Sequence, residues 1–286
     1  MYDFTLTIYD SLIQTLIKQG FSILAVEEFV TKSTGKLIIL RHDVDSLPEN
    51  SLKLAHIQAR CGIKGTYYFR IVPQSYNRHI IKEINSLGHE IGYHYETMDT
   101  SLGDIEKAYY EFCHNLDKIR QIVPIKTVCM HGSPFSKFDN RLIWRKYDYR
   151  ELGITFEPYF DVNFAEVYYL TDTGRRWDGG EVSIRDKGLG IRDRERGVEF
   201  YKDWKVKPES GSLMNMTQQS FNFQSKYKFS STSEIIMAAD KKELPDKIMM
   251  TFHPQRWTDK PIPWLKELIW QNVKNVGKYF LIKLRD

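Results

Sequence analysis

The stretch that decides the fold is "KLIILRHDVD", residues 36 to 45. Leu37, Ile38, Ile39 and Leu40 run on without polar alternation, which marks a strand covered on both faces, as in parallel sheets flanked by crossover helices. That apolar run then meets Arg41, His42, Asp43 and Asp45 with no turn between. Side chains alternate along a strand, so Asp43 and Asp45 point to one side and Val44 to the other. Two carboxylates aimed into one pocket repel unless a cation or a shared proton relieves them.

Working outward, the same grammar repeats. "SLPENSLKLAHIQARCG" (46–62) reads as a helix with Pro48 in its first turn and Gly62 past its end. "KGTYYFR" (64–70), "HEIGYHYE" (89–96) and "IKTVCMHG" (125–132) read as strands, separated by helices over 75–88 and 102–122. Upstream, Leu6, Tyr9, Leu12, Ile13, Leu16 and Ile17 recur at helical spacing before Gly20, and a short strand near "FSILAV" (21–26) follows. Strands alternating with helices of this length imply a parallel sheet or barrel. The expectation is an α/β chain forming one domain over 1–286, with 1–36 as a short N-terminal α/β extension.

Past about residue 150 the rhythm weakens. "RRWDGGEVSIRDKGLGIRDRERG" (175–197) is rich in Gly, Arg and Asp, and the region 179–230 is expected to be a long loop or lid. Regularity returns at "STSEIIMAAD" (231–240), where Ser231 to Ser233 offer an N-cap and Glu234 completes it. The strand "KIMMTFHP" (247–254) follows. A last helix over 261–284 carries Trp264, Leu265, Leu268, Ile269, Val273, Val276 and Phe280 on one face. Such a face is expected to cover a core, a commoner use than lying on a membrane surface.

Composition narrows the function classes. At 42% hydrophobic and 27% charged the chain is too apolar for disorder, and a net charge of +4 spread along it gives no electrostatic footprint for nucleic acid. Cys61, Cys113 and Cys129 are odd in number and widely spaced, which suits reduced, buried thiols. The opening residues show neither a basic n-region nor a long apolar stretch, so no transmembrane segment and a cytoplasmic location are expected.

In parallel α/β proteins, residues just after each strand converge at the carboxyl end of the sheet. Here these are Asp43 and Asp45, His94 and Glu96, His131, and His253, although the chain has only eight histidines. A DxD pair after a strand occurs equally in dehalogenase-type phosphatases and in glycosyltransferases. Histidines at the other strand ends fit neither, and an Asp-plus-imidazole set suits zinc or another borderline divalent metal. His42 and His89 fall on the packing side and are expected to be structural.

These motifs resemble the polysaccharide deacetylase superfamily, carbohydrate esterase family 4 and its relatives, as an ordered set over about residues 37–257. "HDVD" corresponds to the family's aspartate motif, "GHEIGYH" (88–94) to its "GHEIGNH" stretch, and "MMTFH" (249–253) to the apolar strand ending in a histidine. The resemblance implies a distorted (β/α) barrel of about seven units and a metal-dependent hydrolase acting on carbon–nitrogen (non-peptide) bonds. It would remove an N-acyl group, with N-acetyl the first expectation, from a sugar, sugar nucleotide or other sugar-containing intermediate, as in surface polysaccharide biosynthesis. It assigns Asp43 as base, His253 as acid, and Asp45 and His94 as ligands of a divalent metal, zinc first.

Two departures stand out. Val44 separates aspartates that are adjacent in the family, and Met98 occupies the place of the second metal histidine. His131 is the first choice to complete the metal set, with Glu96 the alternative. The fourth motif is loosely echoed by "DTGRRWDG" (172–179), and Arg175, Trp177, Asp178 and Trp257 are expected to frame a sugar. Two other functions fit the same residues: a sugar-binding relative weakened in catalysis, and a hydrolase of non-sugar C–N bonds of allantoinase type.

Overall fold

The computed structural model describes residues 2–29, 34–132, 136–177, 204–206 and 226–283, with 276–283 described by backbone alone. Asp178 lies outside them, as does most of the expected lid. The lid's described parts, 204–206 and 226–230, are anchored: Lys205 and Val206 donate backbone hydrogen bonds to Arg145 and Trp144, the Tyr168 hydroxyl donates to the Tyr227 carbonyl, and Trp204, Val206 and Phe229 are buried.

The strands are β1 (Ser22–Leu24), β2 (Leu37–Val44), β3 (Thr66–Phe69), β4 (Glu90–Tyr95), β5 (Val128–Met130), β6 (Tyr168–Thr171) and β7 (Lys247–Phe252). The helices that matter for packing are α1 (Leu6–Lys18), α2 (Pro48–Arg60), α3 (Arg78–Ser86), α4 (Ile105–Arg120), α5 (Thr232–Asp240) and α6 (Pro261–Lys283). Six strands in the order β5-β4-β3-β2-β7-β6 make a curled, all-parallel half-barrel. β1 lies beside the first half of β2, at Leu37–Ile39, and β3 beside its second half, at Arg41–Val44. On its other side β2 pairs with β7 from Leu37 to His42. β2 is thus the central strand, and all eight of its residues are buried.

Period-two alternation divides the sheet into two chemistries. One set faces the outer helices: Ile38, Leu40, Met250 and Phe252 pack under α1 and α5, and Val44, Tyr67, Phe69, Ile91, Tyr93 and Tyr95 pack under α3 and α4. The other set faces the concave side, where Ile39, Tyr68, Cys129 and Met249 meet Phe156, Val162, Phe164 and Val167. Two or four residues further along these strands on the same side come Arg41, Asp43, Arg70, His131, Thr251 and His253, with His94 two past Gly92 on β4. The apolar plug at the bottom of the concavity therefore grades into polar groups at its carboxyl end.

His42 and His89 face outward, as the alternation requires. The His42 ring stacks on Tyr67 with centroids 4.1 Å apart, and its nitrogens meet the Thr66 carbonyl and the Tyr9 hydroxyl. Burial pushes it down to about 3, so it is a neutral core residue. His89 bridges the Ala55 carbonyl and the Gly65 amide. The three cysteines are free thiols, Cys129 fully buried. Ser231 caps α5 by accepting from the Glu234 amide, and Glu234 reaches back to the Ser230 amide.

The last helix departs from expectation. Leu265, Ile269 and Val273, expected to cover a core, face solvent, while Trp264 and Leu268 are half-buried. The side chains of Val276 and Phe280 lie outside the described residues. The cause is visible underneath: Phe4, Tyr9, Phe252 and Trp257 already close the core, and α6 is tied down by polar contacts. Trp264 Nε1 donates to the Asp3 carbonyl, Asn275 Nδ2 to the Gly174 carbonyl, and Arg175 Nη1 to the Trp264 carbonyl.

Gly92 shows how tight the concave side is. A Cβ there would lie 2.3 Å from two ring carbons of Tyr68. Gly92→Ala is expected to lower stability by about 1–3 kcal/mol in urea denaturation, because the buried Tyr68 ring has to move.

Candidate functional site

Four strand ends deliver the site. β2 runs out in Asp43 and Asp45, β4 in His94 and Glu96, β5 in His131, and β7 in His253. The structure brings all six side chains together. His94 Nε2 lies 3.7 Å from Asp43 Oδ2 and 3.8 Å from Asp45 Oδ1; His131 Nε2 lies 3.5 Å from Asp45 Oδ1; and His253 Nε2 lies 4.0 Å from Asp45 Oδ2.

The two aspartates are not equivalent. Asp43 is gripped by both arms of Arg41, at 2.7 Å and 2.6 Å, inside the concavity. Burial alone would raise its carboxyl; the Arg41 guanidinium and the His94 imidazole outweigh burial and hold it well below the usual range. Asp45 takes one hydrogen bond on Oδ2 from Gln255, while its buried Oδ1 has no hydrogen-bond partner. Burial raises the Asp45 carboxyl, and the surrounding His131, His253 and His94 bring it down overall.

Each imidazole near Asp45 is oriented from behind. His94 Nδ1 lies 2.9 Å from the Cys129 carbonyl, a geometry that requires Nδ1–H and leaves the Nε2 lone pair facing Asp45. Burial pushes His94 down to about 4, so that lone pair is free at neutral pH. His131 Nδ1 sits 3.0 Å from Glu96 Oε2, and Glu96 is held by the Arg70 guanidinium at 2.7 Å. Glu96, the alternative ligand in the sequence reading, therefore stands behind His131 rather than beside Asp45.

Asp45 Oδ1, His94 Nε2 and His131 Nε2 thus converge with their lone pairs inward, near enough to one another to share one cation. A buried carboxylate oxygen lacking a donor, opposite the Nε2 of His94, whose Nδ1 is committed to the Cys129 carbonyl, and the Nε2 of His131, whose Nδ1 faces the Glu96 carboxylate, is the donor set a divalent ion takes. Asp43, His94 and Cys129 form a second such group. It is the poorer one, because Arg41 occupies both oxygens of Asp43, and burial pushes the Cys129 thiol up and keeps it protonated. Met98, where the resembled family has a histidine, is buried in the core under α4.

His253 stands across from this group. Its Nδ1 lies 2.5 Å from Asp172 Oδ1. Asp172 is fully buried and its carboxylate also accepts from the His253 amide, Arg256 Nη1 and Trp257 Nε1. So many donors require an ionised acceptor, which fixes the proton on His253 Nδ1 and turns Nε2 to the pocket. Asp172 follows β6, and Arg70, which holds Glu96, follows β3. The strand-end rule that singles out the other residues would have found both. Glu157 escapes that rule: its Oε1 accepts from the Met130 amide and the Tyr95 hydroxyl, holding the end of β5 next to His131. Burial pushes it up to about 7.

The expected sugar-framing residues are placed otherwise. Trp177 and Trp257 are buried in the outer core against Phe252, with Trp177 Nε1 bonded to Thr232 and Trp257 Nε1 to Asp172. Neither offers a ring face to a ligand. Arg175 is buried between the rings of Phe4 and Trp264. Ser133, Pro134 and Phe135 of the "HGSPF" stretch lie outside the described residues. No protein-family model matches this chain, and no curated protein matches it.

Proposed function

We propose that this chain is a metal-dependent hydrolase that removes an N-acyl group, N-acetyl first, from a sugar or sugar-containing intermediate such as one in surface polysaccharide biosynthesis. The reading takes the half-barrel as the distorted (β/α) barrel of about seven units that the sequence resembles, with 1–36 as its extension. One observation carries it: the partnerless, buried Asp45 Oδ1 facing His94 Nε2 and His131 Nε2, with the His253–Asp172 pair opposite.

Asp45, His94 and His131 would hold a divalent cation, zinc first for one carboxylate and two imidazoles. Such an ion would supply a Lewis acid able to polarise an acyl carbonyl and acidify water. Asp43 Oδ2 accepts the proton of the attacking water. Arg41 keeps Asp43 ionised and aimed. As the carbon–nitrogen bond breaks, His253, protonated on both nitrogens, hands its Nε2 proton to the departing amine. Asp172 stabilises that imidazolium and holds its ring in place.

The test is acetate release from a panel of acetamido sugars and acetylated sugar nucleotides by zinc-loaded protein. Turnover of at least one member is expected. Zinc and sugar binding without turnover would instead indicate a sugar-binding relative, and turnover of ureides alone an allantoinase-type hydrolase.

A further inference from the structure

The last helix is built the wrong way round for a core helix. Ile262, Leu265, Ile269, Trp270 and Val273 fall on one side of α6, and each keeps more than half its surface in solvent, from 51% at Leu265 to 68% at Ile262. Its covered side is largely polar: Glu267, Gln271, Lys274 and Asn275 are buried or half-buried with Trp264 and Leu268. Five large apolar side chains in a row are more than scattered surface residues and call for a partner.

Charge says which. Among residues 260–275 the cations are Lys260, Lys266 and Lys274, and the one anion is Glu267. Glu267 is turned inward and accepts from Gln271 Nε2. Asp259, just before, is spent on the first amides of α1, Leu6 and Thr7. The outward face therefore carries apolar groups with exposed Lys260 and Lys266, and Lys274 rests on the Trp270 ring. This is the pattern of a helix lying in a lipid interface, with apolar groups buried, lysines reaching the headgroups and a tryptophan at the boundary.

We infer that α6 docks flat on a bilayer surface rich in anionic lipid, through Ile262, Leu265, Ile269, Trp270 and Val273. Among the described residues no helix is long and apolar enough to cross a membrane, so the contact is with the surface. A second copy fits the face less well, since two-fold pairing of the same stripe sets Lys266 near its own counterpart, like charge against like. α6 begins eight residues after His253 and packs on the Gly174–Arg175 turn that follows β6, so it lies at the same end of the sheet as the ligand cluster. Docking there does not depend on the chemistry at that cluster.

The test is sedimentation of the full chain with vesicles of phosphatidylglycerol and phosphatidylcholine, against phosphatidylcholine alone. The chain is expected to partition onto the mixed vesicles, to be released by salt, and to bind at least about tenfold more weakly as the Leu265→Asn, Ile269→Asn variant. Lys266→Gln should weaken it about fivefold. All three positions are exposed, and circular dichroism checks that the variants fold. The inference is overturned by a wild-type chain that stays in the supernatant with both vesicle types. It is equally overturned by a solution dimer that the double variant splits and that ignores lipid.

Discussion

Asp45→Ala and His94→Ala are each expected to weaken zinc binding by more than about 100-fold, read by metal analysis after gel filtration and by competition with a chromophoric chelator. The size follows from the geometry: losing a partner behind a ligand already costs about 10- to 100-fold, and here a ligand itself is removed. His131→Ala should behave alike. Asp45 is at the rim and its Oδ1 makes no hydrogen bond, so Asp45→Ala leaves the fold intact and relieves a carboxylate that faces Asp43. Cys129→Ser distinguishes the two possible ligand groups, since zinc is retained if Asp45, His94 and His131 hold it. Zinc retained in Asp45→Ala and lost in Cys129→Ser would move the metal to Asp43, His94 and Cys129.

The second large effect belongs to His253. His253→Ala is expected to cut kcat for the deacylated substrate by about 100- to 10,000-fold while leaving zinc content unchanged. Asp172→Asn should come near the same loss by another route. An amide in that pocket can donate to His253 Nδ1, which favours the tautomer with hydrogen on Nε2 and disturbs the acid that must be charged. Since the two residues act as a unit, the double variant should be little worse than either single one. Asp172 is buried under four donors, so its replacement also costs stability; rates are to be compared on folded protein at reduced temperature. An Asp172→Asn enzyme with full kcat would remove Asp172 from the proton path.

Much of the sheet was legible because one rule, alternation along an apolar strand, governs both packing and site. It places Val44 outward and Asp43 inward, puts His42 and His89 in the packing, and carries His94, His131 and His253 to a common end. The same rule reaches Asp172 and Arg70, whose strands end in "LTD" and "YFR". It fails where sequence neighbours go different ways in space. Trp177 and Trp257 sit a few residues from site positions but turn under α1 and α5, which only the path of the N-terminal helix decides. For α6, periodicity defines an apolar face without saying whether the body lies under it. Glu157 follows only a single-residue bridge, Phe156 to Thr127, too short for an apolar run to mark it in the sequence.

In β2 the alternate residues Leu40, His42 and Val44 are fixed by the helices outside, while Arg41, Asp43 and Asp45 are free of that demand. Two messages are thus interleaved letter by letter in one segment, and either can be rewritten while the other is kept. Substitutions confined to the inner letters of β2, β4 and β7 change the polar cluster without redesigning the scaffold. Loss or gain of a single residue inside β2 would exchange the two messages, sending carboxylates into the core and aliphatic groups into the pocket, so this strand tolerates exchange but not slippage.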